Sequence, residues 1–151
     1  MAQSLARLWT HLIFSTKERF PFLPDPSVRA DMHAYLATVL RNHDCVTLIV
    51  GGTEDHVHAL FRLSRNYSIA TIVKEVKRTS SASIKAVGQR YSKFRWQAGY
   101  SAFSVSQSHV GQVRSYIMRQ EQHHKRRTFQ DEFRAFLKKY EIEYDKRYVW
   151  D

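Results

Sequence analysis

A single cysteine, Cys45, stands in the 151 residues. It leaves no partner for an intrachain disulfide and fits a reducing compartment. Lying between a helix signal and a strand, it reads as a small hydrophobe rather than a nucleophile. No apolar run reaches the ~18 residues that a membrane span needs. The opening residues, Met1-Ala-Gln-Ser-Leu-Ala-Arg7, lack the apolar stretch of a secretory signal. The expectation is therefore a cytoplasmic protein with no membrane segment. No internal repeat, low-complexity segment or linker is present, which predicts one domain over residues 1–151. Neither Gly-x-Ser-x-Gly nor Gly-x-x-x-x-Gly-Lys-Ser/Thr occurs, so neither a nucleophile elbow nor a P-loop is on offer. Acid is scarce as well: 14 Asp and Glu stand against 24 Lys and Arg, a net charge of +10. That excess favours a polyanionic partner, with nucleic acid the default; the plain alternative is a basic solvated surface.

What is there argues for a folded chain. Apolar residues make up 43%, with three Trp, eight Tyr and nine Phe. Leu8 to Ser15 is dense in β-branched, aromatic and aliphatic residues and predicts a strand, with His11 inside it as a satisfied structural histidine. Asp25-Pro26 opens a helix as N-cap and first residue, and Val28, Met32, Tyr35, Leu36, Val39 and Leu40 give its apolar stripe to about Asn42-His43. Val46 to Val50 and Glu54 to Leu63 form strands joined through Gly51-Gly52 as a β-hairpin. Ser68 caps a helix with Ile69, Ile72, Val73, Val76, Ile84 and Val87 inward and Gly88 at its end. Tyr100 to Ser106 alternates as a strand. Ser108 then caps a long helix with Val110, Val113 and Ile117 as its packing stripe and Lys125-Arg126-Arg127 at its end. Phe129 to Lys139 is a last amphipathic helix, and the tail from Tyr140 packs on the body.

His56-Val57-His58 is the stretch around which the candidate chemistry is organised. In a strand, alternate side chains share a face, so His56 and His58 point one way and Val57 the other. Two imidazoles roughly 6–7 Å apart along a rigid strand can supply half of a metal site; the plain alternative is a structural pair. Zinc would need a third His, Cys or carboxylate ligand, whereas Mg²⁺ or Mn²⁺ would leave positions open for phosphate oxygens. Tyr116 and Gln120 are four residues apart and share a helix face, with His123 and His124 one turn on. Lys74, Lys77, Arg78 and Lys85 crowd one helix. Arg90, Lys93 and Arg95 interleave with Tyr91, Phe94 and Trp96. Cations neutralise phosphate and exposed aromatics stack on unpaired bases, so this pattern suits a single strand; equally, the aromatics belong to the core.

The blocks WTHLIFSTKER, GGTEDHVHALF, FRWQAGYSAFSVS, VRSYIMRQEQHH and YEIEYDKRYVW, in this order over about residues 8 to 150, resemble the HUH single-tyrosine transposases of bacterial insertion sequences, the group that includes the REP-associated tyrosine transposases. HUH stands for His, a bulky hydrophobe and His, here His56-Val57-His58. The resemblance implies an α+β ferredoxin-like sandwich, an antiparallel sheet with helices packed on it and the histidine pair on a central strand. It implies that Tyr116 attacks a phosphate of single-stranded DNA, forming a 5′-phosphotyrosine and releasing a 3′-OH. His56 and His58 match the metal ligands and Gln120 the third, with His124 as the alternative, for Mg²⁺ or Mn²⁺. It also implies a homodimer that recognises DNA hairpin ends, in which the tyrosine helix can be exchanged between subunits. Lys74, Lys77, Arg78, Arg90, Lys93 and Arg95 are the candidate DNA-holding residues. Asp55 is expected to orient a ring or cap the turn. Rival readings are a domesticated relative that processes palindromic repeats, a non-catalytic nucleic-acid module with aromatics on an open sheet face, and a zinc hydrolase.

Overall fold

The computed structural model describes residues 2–124 and 127–151; the side chain of His123 also lies outside that description. Strands β1 (Trp9–Ser15), β2 (Val46–Gly52), β3 (His56–Arg62) and β4 (Ser101–Val105) build one antiparallel sheet in the order β2-β3-β1-β4. Helix α1 (Pro26–Asn42) follows β1, and α2 (Ile69–Lys85) follows β3. This is the βαββαβ ferredoxin-like sandwich, with the histidine strand central.

Local signals set most boundaries. Asp25 accepts from the Ser27 N–H and Pro26 opens α1. The Ser68 hydroxyl accepts from the Thr71 N–H at the start of α2, and Thr128 does the same for Asp131 in α5 (Phe129–Lys139). The expected hairpin forms, but its turn is Thr53, Glu54 and Asp55: Gly51 and Gly52 end β2 and pair with His58 and Val57.

The period of two along each strand divides the core. Leu12 and Phe14 of β1 and Val57, Ala59 and Phe61 of β3 face α1 and α2. Each fully buried side chain of this size contributes about 1.5–3 kcal/mol. Tyr91, Phe94 and Trp96 belong to that same core, with Phe94 wholly buried and the Trp96 indole donating to Ser80 Oγ at 2.9 Å. The interleaved segment therefore buries its aromatics and leaves Arg90, Lys93 and Arg95 exposed. The opposite sheet face carries Trp9, Leu60 and Val105 beneath α3 (Val110–Met118), and Ile13 and Phe103 beneath α5. That is the histidine face, and it is covered rather than open. The tail packs as expected: Val149 and Trp150 lie against the α5 core, and the Asp151 carbonyl accepts from Gly99 N at 2.8 Å.

One element departs from expectation. Ser108 sits in a 3-10 turn (Gln107–His109), where its hydroxyl meets Ser106 and His109 instead of capping a helix. The long helix is broken at Arg119 (φ −102°, ψ 19°), and a short α4 (Gln120–His123) follows. Lys125 and Arg126 of the expected basic helix end lie outside the described residues. Among the described residues no helix is long and apolar enough to cross a membrane.

Candidate metal and tyrosine site

The register of β1 against β3 places Ser15 opposite His56, Ile13 opposite His58 and His11 opposite Leu60. His11 is thus a diagonal neighbour of His58 on one face, within reach of its ring. Both HUH imidazoles are fully buried.

His56 is fixed from behind. Its Nδ1 lies 2.7 Å from Asp55 Oδ1 and 3.0 Å from Thr53 Oγ1. A carboxylate only accepts, so Nδ1 donates and Asp55 orients the ring, as its position before the pair suggested. Burial alone would raise the Asp55 carboxyl; the His56 contact outweighs it and holds the carboxyl below its usual range. On the far side of the ring, Nε2 faces Gln120 Oε1 at 3.1 Å. With its single proton on Nδ1, the ring turns a lone pair toward another acceptor, an arrangement that a cation relieves. Phe129 stacks on the ring with centroids 4.4 Å apart.

His58 is held by His11 and Glu132. Its Nδ1 lies 2.8 Å from His11 Nε2, and its Nε2 lies 3.0 Å from Glu132 Oε1. Burial lowers the His58 imidazole from 6.5 to about 4, despite the carboxylate beside it. Burial would raise the Glu132 carboxyl, but contacts from His124 and His58 win and hold it far below the usual carboxylate value. A neutral imidazole beside a buried carboxylate leaves net negative charge in a dry site. Ligand atoms of His56, His58 and Glu132 lie within 4.8 Å of one another, a group able to hold a metal ion. The residues thus fit a divalent cation.

Tyr116 completes the cluster. Its ring centroid is 5.9 Å from that of His58 and 6.4 Å from that of His11. Burial, reinforced by the Glu132 carboxylate that hydrogen-bonds it, raises the phenol well above its usual value. It stays protonated near neutrality, and a phenol in that state attacks only with help from a base or a cation. Beside it opens a cleft of about 650 Å³, lined by Tyr116, Phe136 and Tyr140, with His109, Arg127 and Lys139 bringing basic groups.

Tyr116, His56, His58 and Gln120 therefore converge within one chain, and so does His124. His124 Nε2 lies 3.1 Å from both Gln120 Oε1 and Glu132 Oε2. The basic residues do not join them. Helix α2 lies on the other sheet face, so Lys74, Lys77 and Arg78 are a layer away from the histidines. The Lys77 ammonium is partly buried and donates to the carbonyls of Gln97 at 2.8 Å and Gly99 at 2.5 Å. There it clamps the loop that carries both carbonyls. Arg78 pairs with Glu75 at 2.6 Å. Arg90, Lys93 and Arg95 are exposed. Arg95 lies at the end of the sheet where β3 begins, its carbonyl accepting from Lys17 N beside the Thr16 N–Asp55 O bond.

Two site residues escaped the sequence reading, Glu132 and the paired role of His11. The signal for Glu132 was an acid at the i+3 position of the α5 stripe Phe129, Phe133, Phe136, Leu137, where only apolar residues belong. His11 likewise stands on the inward face of an apolar strand.

Comparison with solved structures agrees with the geometry. The chain is similar to a candidate transposase from Deinococcus radiodurans R1, at 22% identity and a TM-score of 0.62, over 80% of this chain and 95% of that one. It is also similar to a REP-associated tyrosine transposase bound to a REP hairpin, at 12% identity and a TM-score of 0.57, over 82% and 74% of the respective chains. No curated protein matches. Residues 4–120 match the family described as "Transposase IS200 like". The chain belongs to the IS200-like transposase family.

Proposed function

We propose that this transposase cleaves and rejoins single-stranded DNA through Tyr116, with His56, His58, Gln120 and Glu132 holding a divalent cation, Mg²⁺ or Mn²⁺. The observation that carries the reading is the placement of the Tyr116 ring against His58 at the edge of a basic cleft, beside three buried metal-capable side chains. In the reaction the Tyr116 oxygen bonds to the scissile phosphorus, and the bond from phosphorus to the 3′-oxygen breaks. A 5′-phosphotyrosine results, and the 3′-oxygen leaves as a hydroxyl after gaining a proton. Glu132, already hydrogen-bonded to the phenol, would orient its oxygen, and the phenolic proton would pass to water. A bound cation would polarise the phosphate and neutralise charge on the leaving oxygen. Attack by the freed 3′-OH on the phosphotyrosine reverses the same exchange and rejoins strands.

A strand entering the cleft would pass Phe136 and Tyr140, with Arg127 and Lys139 near its phosphates. Arg95 and Lys93, and more remotely Lys74, Arg78 and Arg90, would hold flanking or hairpin DNA. The REP hairpin bound to the tyrosine transposase that this fold resembles supports a hairpin substrate. Residues 1–151 would act as one catalytic domain. In a homodimer each chain would carry its own tyrosine against its own histidines. Whether the protein moves its own element or processes dispersed palindromes is read from the flanks of its gene, where matched hairpin ends mark a mobile element.

A zinc hydrolase has one observation in its favour: two histidines and a glutamate are also a zinc donor set. Stoichiometric zinc retained through purification would support it. The stacking module has lost its platform, because α3 and α5 cover the histidine face.

The test is covalent trapping. Protein, Mg²⁺ or Mn²⁺ and labelled single strands from both gene flanks are mixed and run on a denaturing gel. The expected result is a metal-dependent shifted band, absent with duplex DNA and with Tyr116→Phe. A normal adduct from Tyr116→Phe would overturn the assignment.

A further inference from the structure

We propose that His11 is a positioning residue that sets the tautomer of His58 and so keeps His58 Nε2 available as a metal ligand. The inference rests on the reading that the histidine pair holds a cation. It starts from one contact: His11 Nε2 and His58 Nδ1 are 2.8 Å apart, and both rings are buried, at 1% and 0% exposure. Two neutral imidazoles this close share a single proton, so one nitrogen donates and the other accepts.

Two arrangements satisfy the pair. In the first, His11 Nε2 donates and His58 Nδ1 accepts. The His58 proton then sits on Nε2, 3.0 Å from the Glu132 Oε1 that attracts it. That tautomer has no lone pair for a metal. In the second, His58 Nδ1 donates to His11 Nε2, His11 keeps its own proton on Nδ1, and His58 Nε2 is free to ligate. Glu132 favours the first arrangement, and a cation demands the second. Only a residue able both to give and to accept a hydrogen bond at this point allows the exchange. An apolar residue would leave a buried Nδ1–H unpaired, which drives the proton to Nε2 and blocks ligation. His56 needs no such partner, because the Asp55 carboxylate can only accept and fixes its proton on Nδ1 permanently. The two ligands are thus oriented by different means, a fixed acceptor for one and an amphoteric ring for the other.

His11 also packs between the Phe136 ring, 5.2 Å away, and those of Phe103 and Tyr116, each 6.4 Å away. A test must therefore separate packing from hydrogen bonding. His11→Phe keeps an aromatic ring and removes both polar atoms. His11→Gln gives up the ring and keeps a side-chain end that donates or accepts according to the amide's orientation. Binding of Mn²⁺ alone, without DNA, is followed by the electron-paramagnetic-resonance signal of the free ion, with near-UV circular dichroism to check the fold. His11→Phe is expected to weaken Mn²⁺ about 10- to 100-fold, the size of a lost outer partner, while His11→Gln stays within about threefold of the unaltered protein. A purely packing role predicts the opposite order. Unchanged Mn²⁺ binding by folded His11→Phe would overturn the proposal and leave the cation reading standing. Absence of Mn²⁺ binding by the unaltered protein would overturn both. Should His11→Phe fail to fold, nitrogen-15 histidine spectra of the unaltered protein with Mg²⁺ decide the matter. A His58 proton on Nδ1 is expected, and a proton on Nε2 would overturn the proposal.

Discussion

Gly51→Ala tests whether the tyrosine helix is seated on its own chain's sheet. Gly51 pairs with His58 across β2 and β3, and its missing side chain is where α3 arrives. A Cβ there would stand 2.9 Å from Ile117 Cγ2 and 3.0 Å from the Ile117 carbonyl oxygen. The methyl group could rotate away; the carbonyl is helix backbone and cannot. Restoring an ordinary 3.4 Å contact from 3.0 Å moves α3 by about 0.4 Å. Ile117 is the residue after Tyr116, so the Tyr116 phenol moves with it. Overpacking of this kind costs about 1–3 kcal/mol of stability. A misplacement of 1 Å at a reacting atom costs about 100-fold in rate, so a shift under half of that predicts roughly a tenfold loss. The assay is single-turnover formation of the covalent adduct, with urea unfolding alongside. Gly111→Ala, on the same helix with nothing within 4 Å of its added Cβ, is the control. It should gain about 1 kcal/mol from helix propensity and keep its rate. Gly51→Ala with unaltered rate and unaltered stability would refute the packing described here, and with it the seating of Tyr116 against its own histidines.

Mixing Tyr116→Phe with His58→Ala should give no adduct, because each chain's site is self-contained; restored cleavage on mixing would show an exchanged helix. Glu132→Gln should weaken Mn²⁺ binding tenfold or more by removing the anionic ligand, on the order of an outer-partner loss or larger, measured by titration without DNA; unchanged affinity would remove Glu132 from the site. Stability should fall with acid in two stages. Burial lowers His58 and His33 from 6.5 to about 4 and lowers His11 in the same direction. The unfolded chain binds these protons first, so stability present above about pH 6.5 is lost as pH falls toward 4, with about 3 kcal/mol as the scale for His58 alone. Glu132, held low in the folded state, adds a second loss below 4.5. Thermal melts of metal-free protein between pH 8 and 3 should show both, and a flat profile from 7 to 4 would contradict the neutral buried rings. Lys77→Met should cost about 1.5–3 kcal/mol through its charged hydrogen bonds while leaving hairpin binding intact; a large loss of DNA affinity in a stable variant would return Lys77 to the DNA surface.

The sequence by itself determined what repeats along the chain. Period-two and helical patterning, the caps at Asp25 and Ser68 and the glycine pair ahead of the hairpin turn placed all four strands, α1, α2 and α5 to within a few residues. Those are local properties, set by side-chain direction and by orphan backbone groups at helix ends. The alternation in β3 likewise put His56 and His58 on one face before any contact was known. Tertiary structure decided what no local pattern carries. The break at Arg119 follows from no proline or glycine at that position. The aromatics of residues 91–96 read equally well as stacking surface or core until the other layers were in place. Lys77 looks like any helix cation until the carbonyls of Gln97 and Gly99 surround it. Glu132 lies 74 residues beyond His58 in the numbering and meets it only because α5 closes over the histidine face. A candidate metal site gathered from three elements is a property of packing: the sequence supplies the donors, and the direction from which each helix crosses the sheet determines which of them meet.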